Sequence, residues 1–518
     1  MLNYAQLKDK ILGCFNGKNI GGAFGMPLEG KRGFFNYNYY LQEDIETNPV
    51  ANDDLDLQIV WLNAVRRFGS CLDAEKLAEY WNTYIIPNWA EYGVGMANLR
   101  RGLTPPLSGY LNNHYGNSCG AFIRSEIWAC LAPGNPDIAT RYAYFDACID
   151  HCEEGIYAEI FTAAMQSIAF VEGDMKRVIE LAQAYIPNTS LVYKGIDLML
   201  KAYESKKSFE EARDILFKEI PGAFSLQNSA LNEIQDDGYP IGQAGMDAPN
   251  NIGITVLALL YGEGDFEKSI CYAVNCGEDA DCTAGTVAAT LGIIYGNTTI
   301  PEKWLAPIDG KIVTCCINLL DSRYCCPFFL PKTVEELTLE ILSLIPKFLP
   351  VDRFALGCWG LFVIEKTGEE LQAGNKKVYL DNVFGNFEKA AFSTEELLQM
   401  PSEGFTKEFS LVKVKVEYVD GIYLAEGEKS RLKLKIIDNG ESKIQRWITV
   451  KGYTADGIKL LNGAISTDLL QNTFGYVLEK EIVVECERAY GDMVDIIFDI
   501  KIEGQCSQNL LKVSFLLK

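Results

Sequence analysis

Asn52-Asp53-Asp54-Leu55-Asp56 runs directly into Leu57-Gln58-Ile59-Val60-Trp61-Leu62-Asn63-Ala64-Val65, and this stretch carries a fold signal and a chemical signal together. Leu57, Val60, Trp61, Ala64 and Val65 recur at the spacing of one apolar helix face. The acids stand at its start, where carboxylates accept the free N–H groups of a first turn and oppose the helix dipole. Capping is therefore the ordinary reading of Asn52, Asp53 and Asp54, and a solvated helix face or a supporting role is the ordinary reading of Asp56.

A second acidic stretch, Gly277-Glu278-Asp279-Ala280-Asp281-Cys282-Thr283-Ala284-Gly285, opens the apolar run Val287 to Ile294. Ile270 to Val274 before it also reads as helix, so several acids crowd one helix-to-helix junction. Crowded carboxylates repel and raise one another's pKa unless a cation neutralises them. Oxygen donors in a chain with only two histidines, His114 and His151, suit Mg²⁺, and Mn²⁺ or Ca²⁺ by the same donors, in preference to zinc or copper. The expectation is one divalent-metal site built from Asp53, Asp54, Asp279 and Asp281.

Outward from these stretches, helical spacing dominates to about residue 345, with Val256, Leu259, Leu260, Ile270 and Val274 as further apolar-face residues. Pro105-Pro106, Pro133-Gly134-Asn135-Pro136 and Asp236-Asp237-Gly238-Tyr239-Pro240 mark loops, and a last helix spans Val334 to Phe348 before Pro350. The period then changes to two. Val412, Val414, Val416 and Tyr418 alternate with charged residues, as do Leu432, Leu434 and Ile436. Further strands are expected around Trp447 to Val450, Val477 to Val484, Val494 to Ile502 and Leu510 to Leu517, with a turn at Asp438-Asn439-Gly440. The fold class is thus multi-domain: an all-α helical bundle over residues 1–350, followed by an antiparallel β-sandwich over 351–518.

Length supports that division, since 518 residues exceed what one hydrophobic core usually organises. A formal net charge of −23 opposes binding to a phosphate backbone, so no nucleic-acid partner is expected, although one metal-bearing pocket can reverse the field locally. Charge and amides interrupt the apolar residues of the first ten positions, and no uncharged apolar stretch reaches membrane-spanning length. A soluble, cytoplasmic protein with no membrane partner follows. Sixteen cysteines in a chain of this length read as reduced thiols. Adjacent pairs such as Cys315-Cys316 and Cys325-Cys326 are awkward for ordinary bridges, and no CxxC pair offers zinc-type spacing.

The helix-opening Asn-Asp-Asp and the later Gly-x-Asp-x-Asp, in that order, resemble the ADP-ribosylglycohydrolase family. Four other stretches carry the same resemblance: Ile11-Leu12-Gly13-Cys14-Phe15 through Gly21-Gly22-Ala23-Phe24-Gly25-Met26-Pro27-Leu28-Glu29; Gly116-Asn117-Ser118-Cys119-Gly120-Ala121-Phe122-Ile123-Arg124; Asp150-His151 with Gly155-Ile156-Tyr157; and Ala248-Pro249-Asn250-Asn251 with Leu257 to Gly262. The resemblance spans about residues 8 to 300 and is specific in combination.

It implies a hydrolase that cleaves the glycosidic bond between ADP-ribose and an acceptor, either a protein side chain or a small molecule. Asp53, Asp54, Asp279 and Asp281 become ligands of one or two Mg²⁺ ions. Asn52 and Cys282 stand where the family often has Thr or Ser, and a thiol is a poor ligand for a hard ion; Thr283 is one residue out of step. Glu29, Asp54 and Asp279 are the expected catalytic groups. Gly116, Asn117, Ser118, Cys119 and Gly120 would approach the pyrophosphate, with His151 and Tyr157 near the ligand and Phe122 offering an aromatic face. Arg124 reads equally as a substrate contact and as a structural ion pair. A metal-dependent glycohydrolase acting on another nucleoside-like or carbohydrate substrate, and a catalytically silent ADP-ribose-binding protein, stay open. Oligomeric state is not readable.

Overall fold

The computed structural model describes residues 2–47, 51–221, 245–318, 328–357, 360–363, 392–401, 404–409, 411–438, 445–455, 457–471, 476–489, 491–502 and 510–518. The expected loop Asp236 to Pro240, the pair Cys325-Cys326 and the turn residues Asn439-Gly440 lie outside them. Contacts divide the chain into one unit of Met1–Arg100 with Thr104–Val383, and a second of Arg101–Leu103 with Phe384–Lys518.

The first unit is helical. Its framework includes α1 (Tyr4–Gly25), α2 (Asp53–Phe68), α3 (Ala90–Arg100), α4 (Glu153–Ala169), α5 (Ala248–Gly262), α6 (Ala280–Tyr295) and α7 (Val334–Phe348). Local chemistry starts several of them. At α1 the Asn3 side chain accepts from Gln6 N while the Gln6 side chain accepts from Asn3 N, both at 3.0 Å, a reciprocal capping box. Thr333 caps α7, which begins and ends where its sequence pattern predicts.

α6 is buried from Ala280 through Ile294, as a helix that forms a core, and α1 is buried at nearly every position from Ile11 onward, its polar Asn16 and Lys18 included. They pack backbone against backbone. Gly13, Gly17, Gly21 and Gly25 recur every fourth residue along one stripe of α1 and face Gly292, Ala288, Ala284 and Ala280 of α6. A Cβ on Gly17 would lie 2.3 Å from Ala288 O, and one on Gly21 would lie 2.2 Å from Ala284 O. The pairing is antiparallel, so the exit of α1 meets the entrance of α6.

One expectation needs correction. The sandwich is expected over 351–518, yet Phe354–Gly357 and Gly360–Val363 form a three-stranded sheet with Leu2–Asn3, pairing Leu2 with Val363 and Asn3 with Phe362. Alternation reports that a strand has one buried side; it does not identify the partner. Here the partner is the chain's own beginning, and Leu2 and Val363 are both buried.

The second unit is a β-sandwich. One sheet runs Ile458–Leu460, Leu478–Cys486, Lys429–Asp438, Val412–Tyr418, Phe405–Glu408; the other runs Ile465–Leu470, Arg446–Tyr453, Met493–Ile502, Leu510–Leu517, Tyr423–Leu424. Neighbours are antiparallel except the last pair, which is parallel. Val414, Val416, Leu434 and Ile436 from the first sheet share a core with Ile496, Phe498, Val513 and Phe515 from the second. Tyr418 bridges the layers, its ring edge-on to Phe515 and its hydroxyl donating to Ser514 O at 2.9 Å.

Gly21→Ala forces a methyl onto the α6 backbone and is expected to destabilise the folded chain by about 1–3 kcal/mol, the usual cost of overpacking. Gly173→Ala, where an added Cβ meets nothing within 4 Å, is expected to change stability by no more than about 0.5 kcal/mol. Chemical denaturation of the two variants beside the parent checks both.

Candidate metal centre

A strained turn delivers the second acid cluster. Gly277 has φ +70° and Glu278 φ +60°, a left-handed conformation uncommon for a residue with a side chain and sustained only when its surroundings impose it. The surroundings are visible. Gly277–Glu278 pairs as a short strand with Lys31–Arg32, Gly30 N donates to Glu278 O at 3.0 Å, and the Glu278 carboxylate receives Arg32 Nε at 2.7 Å and Nη2 at 3.0 Å. The same clasp fixes the segment leaving α1, which places Glu29 beside Asp279.

The expected acids do converge. Oxygen atoms of Glu29, Asp279 and Asp281 lie within 4.8 Å of one another, and so do ligand atoms of Asp54, Asp281 and Cys282. Asp281 belongs to both groups. Asp53 stands next to Asp54 and accepts from Tyr92 OH at 3.1 Å through Oδ2. Asp54, Asp279 and Asp281 are buried, Asp53 is half-buried, and Glu29 sits at the solvent-open end.

Electrostatics follow from that crowding. Burial and then the charges of Asp279, Asp53 and Asp54 push the Glu29 carboxyl up to about 8. Burial and Asp54 push Asp53 up to about 7 against the Tyr92 hydrogen bond. Asp281 is driven well above the usual carboxylate range by burial, then by Asp279, Glu29 and Asp54. Asp279 Oδ1 and Asp281 Oδ1 are buried and accept no hydrogen bond among the described residues. Orphaned buried carboxylate oxygens of this kind fit a hard divalent cation, for which they are the preferred donors.

One positive group, which sequence reasoning passed over, sits within the cluster. Lys18 of α1 has a side chain 1% exposed and places Nζ 2.8 Å from Asp54 Oδ2 and 3.4 Å from Glu126 Oε1. Burial alone would lower its pKa, but Asp54 and Glu126 overcome that and raise it, so it stays charged. Glu126 is held in turn by Gln58 Nε2 at 2.8 Å and Gln166 Nε2 at 3.1 Å. The signal was present: Lys18, between Gly17 and Asn19, is the one charged residue of α1 after Lys10.

Asn52 does cap α2, its Oδ1 accepting from Asp54 N at 2.8 Å while Nδ2 donates to Asp281 Oδ2 at 3.2 Å. In this orientation its oxygen is engaged and its amide nitrogen faces the acids. Asp279 occupies the cap position of α6 without bonding to its N–H groups. The Cys282 thiol lies 3.6 Å from Asp54 Oδ1, and burial with Asp279 and Asp54 pushes its pKa well up. Thr283 turns away, donating to Ala280 O at 3.2 Å. The solvated reading of Asp56 is overturned: it is fully buried, and its Oδ2 accepts Cys315 N at 2.7 Å and Cys316 N at 2.6 Å.

The stretch Gly116 to Gly120 is less open than expected. N–H groups of Gly116, Ser118 and Cys119 donate to Asn113, Tyr115 and Met246 carbonyls, and Asn117 Oδ1 accepts Glu154 N at 3.0 Å. Its glycines answer crowding: a Cβ at Gly120 would sit 2.1 Å from Glu91 Oε1, and one at Gly116 would sit 2.4 Å from Cys152 Sγ. His151 is fully buried, with Nε2 3.1 Å from Ser118 Oγ and Nδ1 2.9 Å from Asp150 Oδ1, so it braces this loop. Arg124, also fully buried, pairs with Asp146 at 2.8 Å and Asp150 at 2.6 Å, which makes it structural. Phe122 is core, whereas Tyr157 is half-buried.

Among solved structures, an ADP-ribosylglycohydrolase-related protein complex aligns with a TM-score of 0.41 at 17% identity, over 66% of this chain and 99% of that one. A protein of Archaeoglobus fulgidus described as uncharacterized is 22% identical over 326 residues, 59% of this chain and 93% of its own length. The family model for ADP-ribosylglycohydrolase matches residues 3–326, which include both acid clusters, Glu29 and Lys18. The chain is a member of the ADP-ribosylglycohydrolase family, a family of glycohydrolases.

Proposed function

We propose that the chain is a magnesium-dependent hydrolase that frees ADP-ribose from a protein side chain or small-molecule acceptor. The observation that carries this reading is the convergence of Glu29, Asp54, Asp279 and Asp281, with Asp279 Oδ1 and Asp281 Oδ1 buried and without a hydrogen-bond partner among the described residues. Asp54, Asp279 and Asp281 would hold the cation, with Asp53 beside them. The two groups sharing Asp281 accommodate one ion or two, and Mn²⁺ or Ca²⁺ suits the same donors. Asn52 and Cys282 are the weakest candidate ligands, because the amide oxygen caps α2 and the thiol retains its proton. A bound divalent cation supplies positive charge for the ribose hydroxyls and makes an attacking water more acidic.

The chain's own groups do the rest. Glycosidic cleavage develops positive charge at the anomeric carbon, which a dense set of carboxylates stabilises. Glu29, at the open end, would take a proton from the attacking water once a bound cation offsets the charges of Asp279, Asp53 and Asp54 that hold its carboxyl protonated. Tyr92 holds Asp53 in position, and Lys18 neutralises Asp54 from the buried side so that the cluster's remaining charge faces the opening. Asn117 and Gly120, the more accessible members of their loop with Gly116, Ser118 and Cys119, line the approach for the pyrophosphate. His151 acts through Ser118, and Tyr157 stands in the second turn of α4.

Release of ADP-ribose from ADP-ribosyl-arginine, ADP-ribosyl-serine and O-acetyl-ADP-ribose, each with Mg²⁺ or with EDTA, tests the reading and identifies the acceptor. Magnesium-dependent release that falls to the EDTA level in Asp279→Asn is the expected outcome, and Tyr92→Phe is expected to lower activity by about 10- to 100-fold as the loss of a ligand-orienting partner. Tight ADP-ribose binding without turnover on any substrate would make the chain a silent binding protein instead.

Stability offers a second check. Mg²⁺ at 100 times its dissociation constant should stabilise the parent by about 2.7 kcal/mol. Asp281→Asn removes one of the mutually repelling carboxylates, so in EDTA it should melt above the parent, while its gain from Mg²⁺ should be largely lost. Thermal melts in both buffers read this directly.

A further inference from the structure

Beside the acid cluster, the same helix start presents a second and chemically different set of donors. Asp56, one turn along α2, has Oδ2 occupied by the N–H groups of Cys315 and Cys316. Its Oδ1 is buried and receives no hydrogen bond among the described residues. The Cys315 and Cys316 sulfurs lie 3.4 Å apart, and a carboxylate oxygen of Asp56 and both sulfurs all fall within 4.8 Å of one another. Cys316 and Asp56 are buried, whereas Cys315 is exposed, so the set is closed on one side and open to solvent on the other.

We propose that Asp56, Cys315 and Cys316 form a binding site for a thiophilic divalent cation of the zinc class, separate from the acid centre. Zinc bonds thiolates at about 2.3 Å and carboxylates at about 2.0–2.2 Å, usually with four ligands. Two sulfurs 3.4 Å apart can share one such ion without a change of backbone. The orphaned Asp56 oxygen supplies the third ligand, and water fills the fourth position on the Cys315 side. Each thiol gives up its proton to solvent on binding, so two protons leave per ion bound and no electrons are transferred.

The two centres differ in the chemistry they select. Carboxylates alone prefer hard ions, while a thiol pair prefers zinc, cobalt or cadmium over magnesium. Sequence spacing hides the site, because Asp56 is far from the cysteines along the chain and adjacent cysteines match no zinc-type spacing. The pairing is made by the chain segment from Lys311 to Asn318 crossing the first turn of α2, where Asp56 captures two consecutive N–H groups.

Cobalt(II) serves as the probe, because thiolate ligation gives it a sulfur-to-metal charge-transfer absorption that oxygen ligation does not. Chelator-stripped full-length protein titrated with Co²⁺ is expected to show this band with one equivalent bound, unaffected by excess Mg²⁺ and abolished by Zn²⁺. The Cys315→Ser/Cys316→Ser double variant should lack it, Asp56→Asn should bind at least about tenfold more weakly, and Cys282→Ala should keep it, which separates this site from the acid centre. Absence of the band, its survival in the double variant, or its loss in Cys282→Ala alone would overturn the assignment. A measurement on the unmodified chain guards against misfolding of the variants. Saturating Zn²⁺ should protect Cys315 from alkylation, mapped by mass spectrometry, while exposed Cys71 continues to react; equal Cys315 labelling with and without Zn²⁺ would also overturn it.

Discussion

The close approach of α1 and α6 is the constraint on which the site depends. Four glycines at four-residue spacing remove every side chain between two helix backbones, so the pair has one register and almost no freedom to slide. Because the helices are antiparallel, that register brings the last turn of α1 to the first turn of α6. Glu29 leaves one helix and Asp279 begins the other, and the Gly277–Glu278 clasp on Lys31–Arg32 fixes the remaining degree of freedom. A methyl group in this interface would displace the acids as well as weaken the core.

The register has an electrostatic consequence. It concentrates carboxylates where burial already opposes charge, and α1 provides only one neutralising cation, Lys18. Lys18 faces Asp54 and Glu126 from the protein side, and nothing equivalent among the described residues reaches Asp279 Oδ1 or Asp281 Oδ1. Raised carboxyl pKa values and orphaned oxygens are two expressions of that imbalance. Stability is sacrificed locally, as is common where a site must be ready for a charged ligand.

Much of this was legible before any coordinates. The strands Val412–Tyr418 and Lys429–Asp438 and the helix Val334–Phe348 each have one buried face, and periodicity detects such asymmetry. The acid clusters were legible because carboxylates rarely crowd an apolar helix start without a reason. Other features left weaker traces. α6, and α1 from Ile11 onward, are buried on nearly all sides, so they carry no polar stripe to read, and a ladder of glycines has no side chains whose pattern could mark it. The closure of Leu2–Asn3 onto Gly360–Val363 involves two residues, too few for a pattern. Loop braces such as His151 on Ser118 resemble ligand contacts in sequence, since a buried polar residue and a binding residue are chemically alike until their partners are known.

The first turn of α2 shows why position within a helix matters more than acidity. Asp53, Asp54 and Asp56 would be interchangeable as dipole partners, yet each faces a different neighbour. Asp53 meets Tyr92, Asp54 meets Lys18 and Cys282, and Asp56 meets the backbone of Cys315 and Cys316. Successive residues of a helix are turned about 100° from one another, so three acids in four positions must diverge. Two of them therefore turn toward the acids of α6, and the third secures the segment passing on the other side. Any movement of Lys311 to Asn318 is transmitted through Asp56 to the helix turn that carries Asp53 and Asp54. The acid centre is consequently held from three directions: by α1 through Lys18, by α6 through its own acids, and by this segment through a single buried carboxylate.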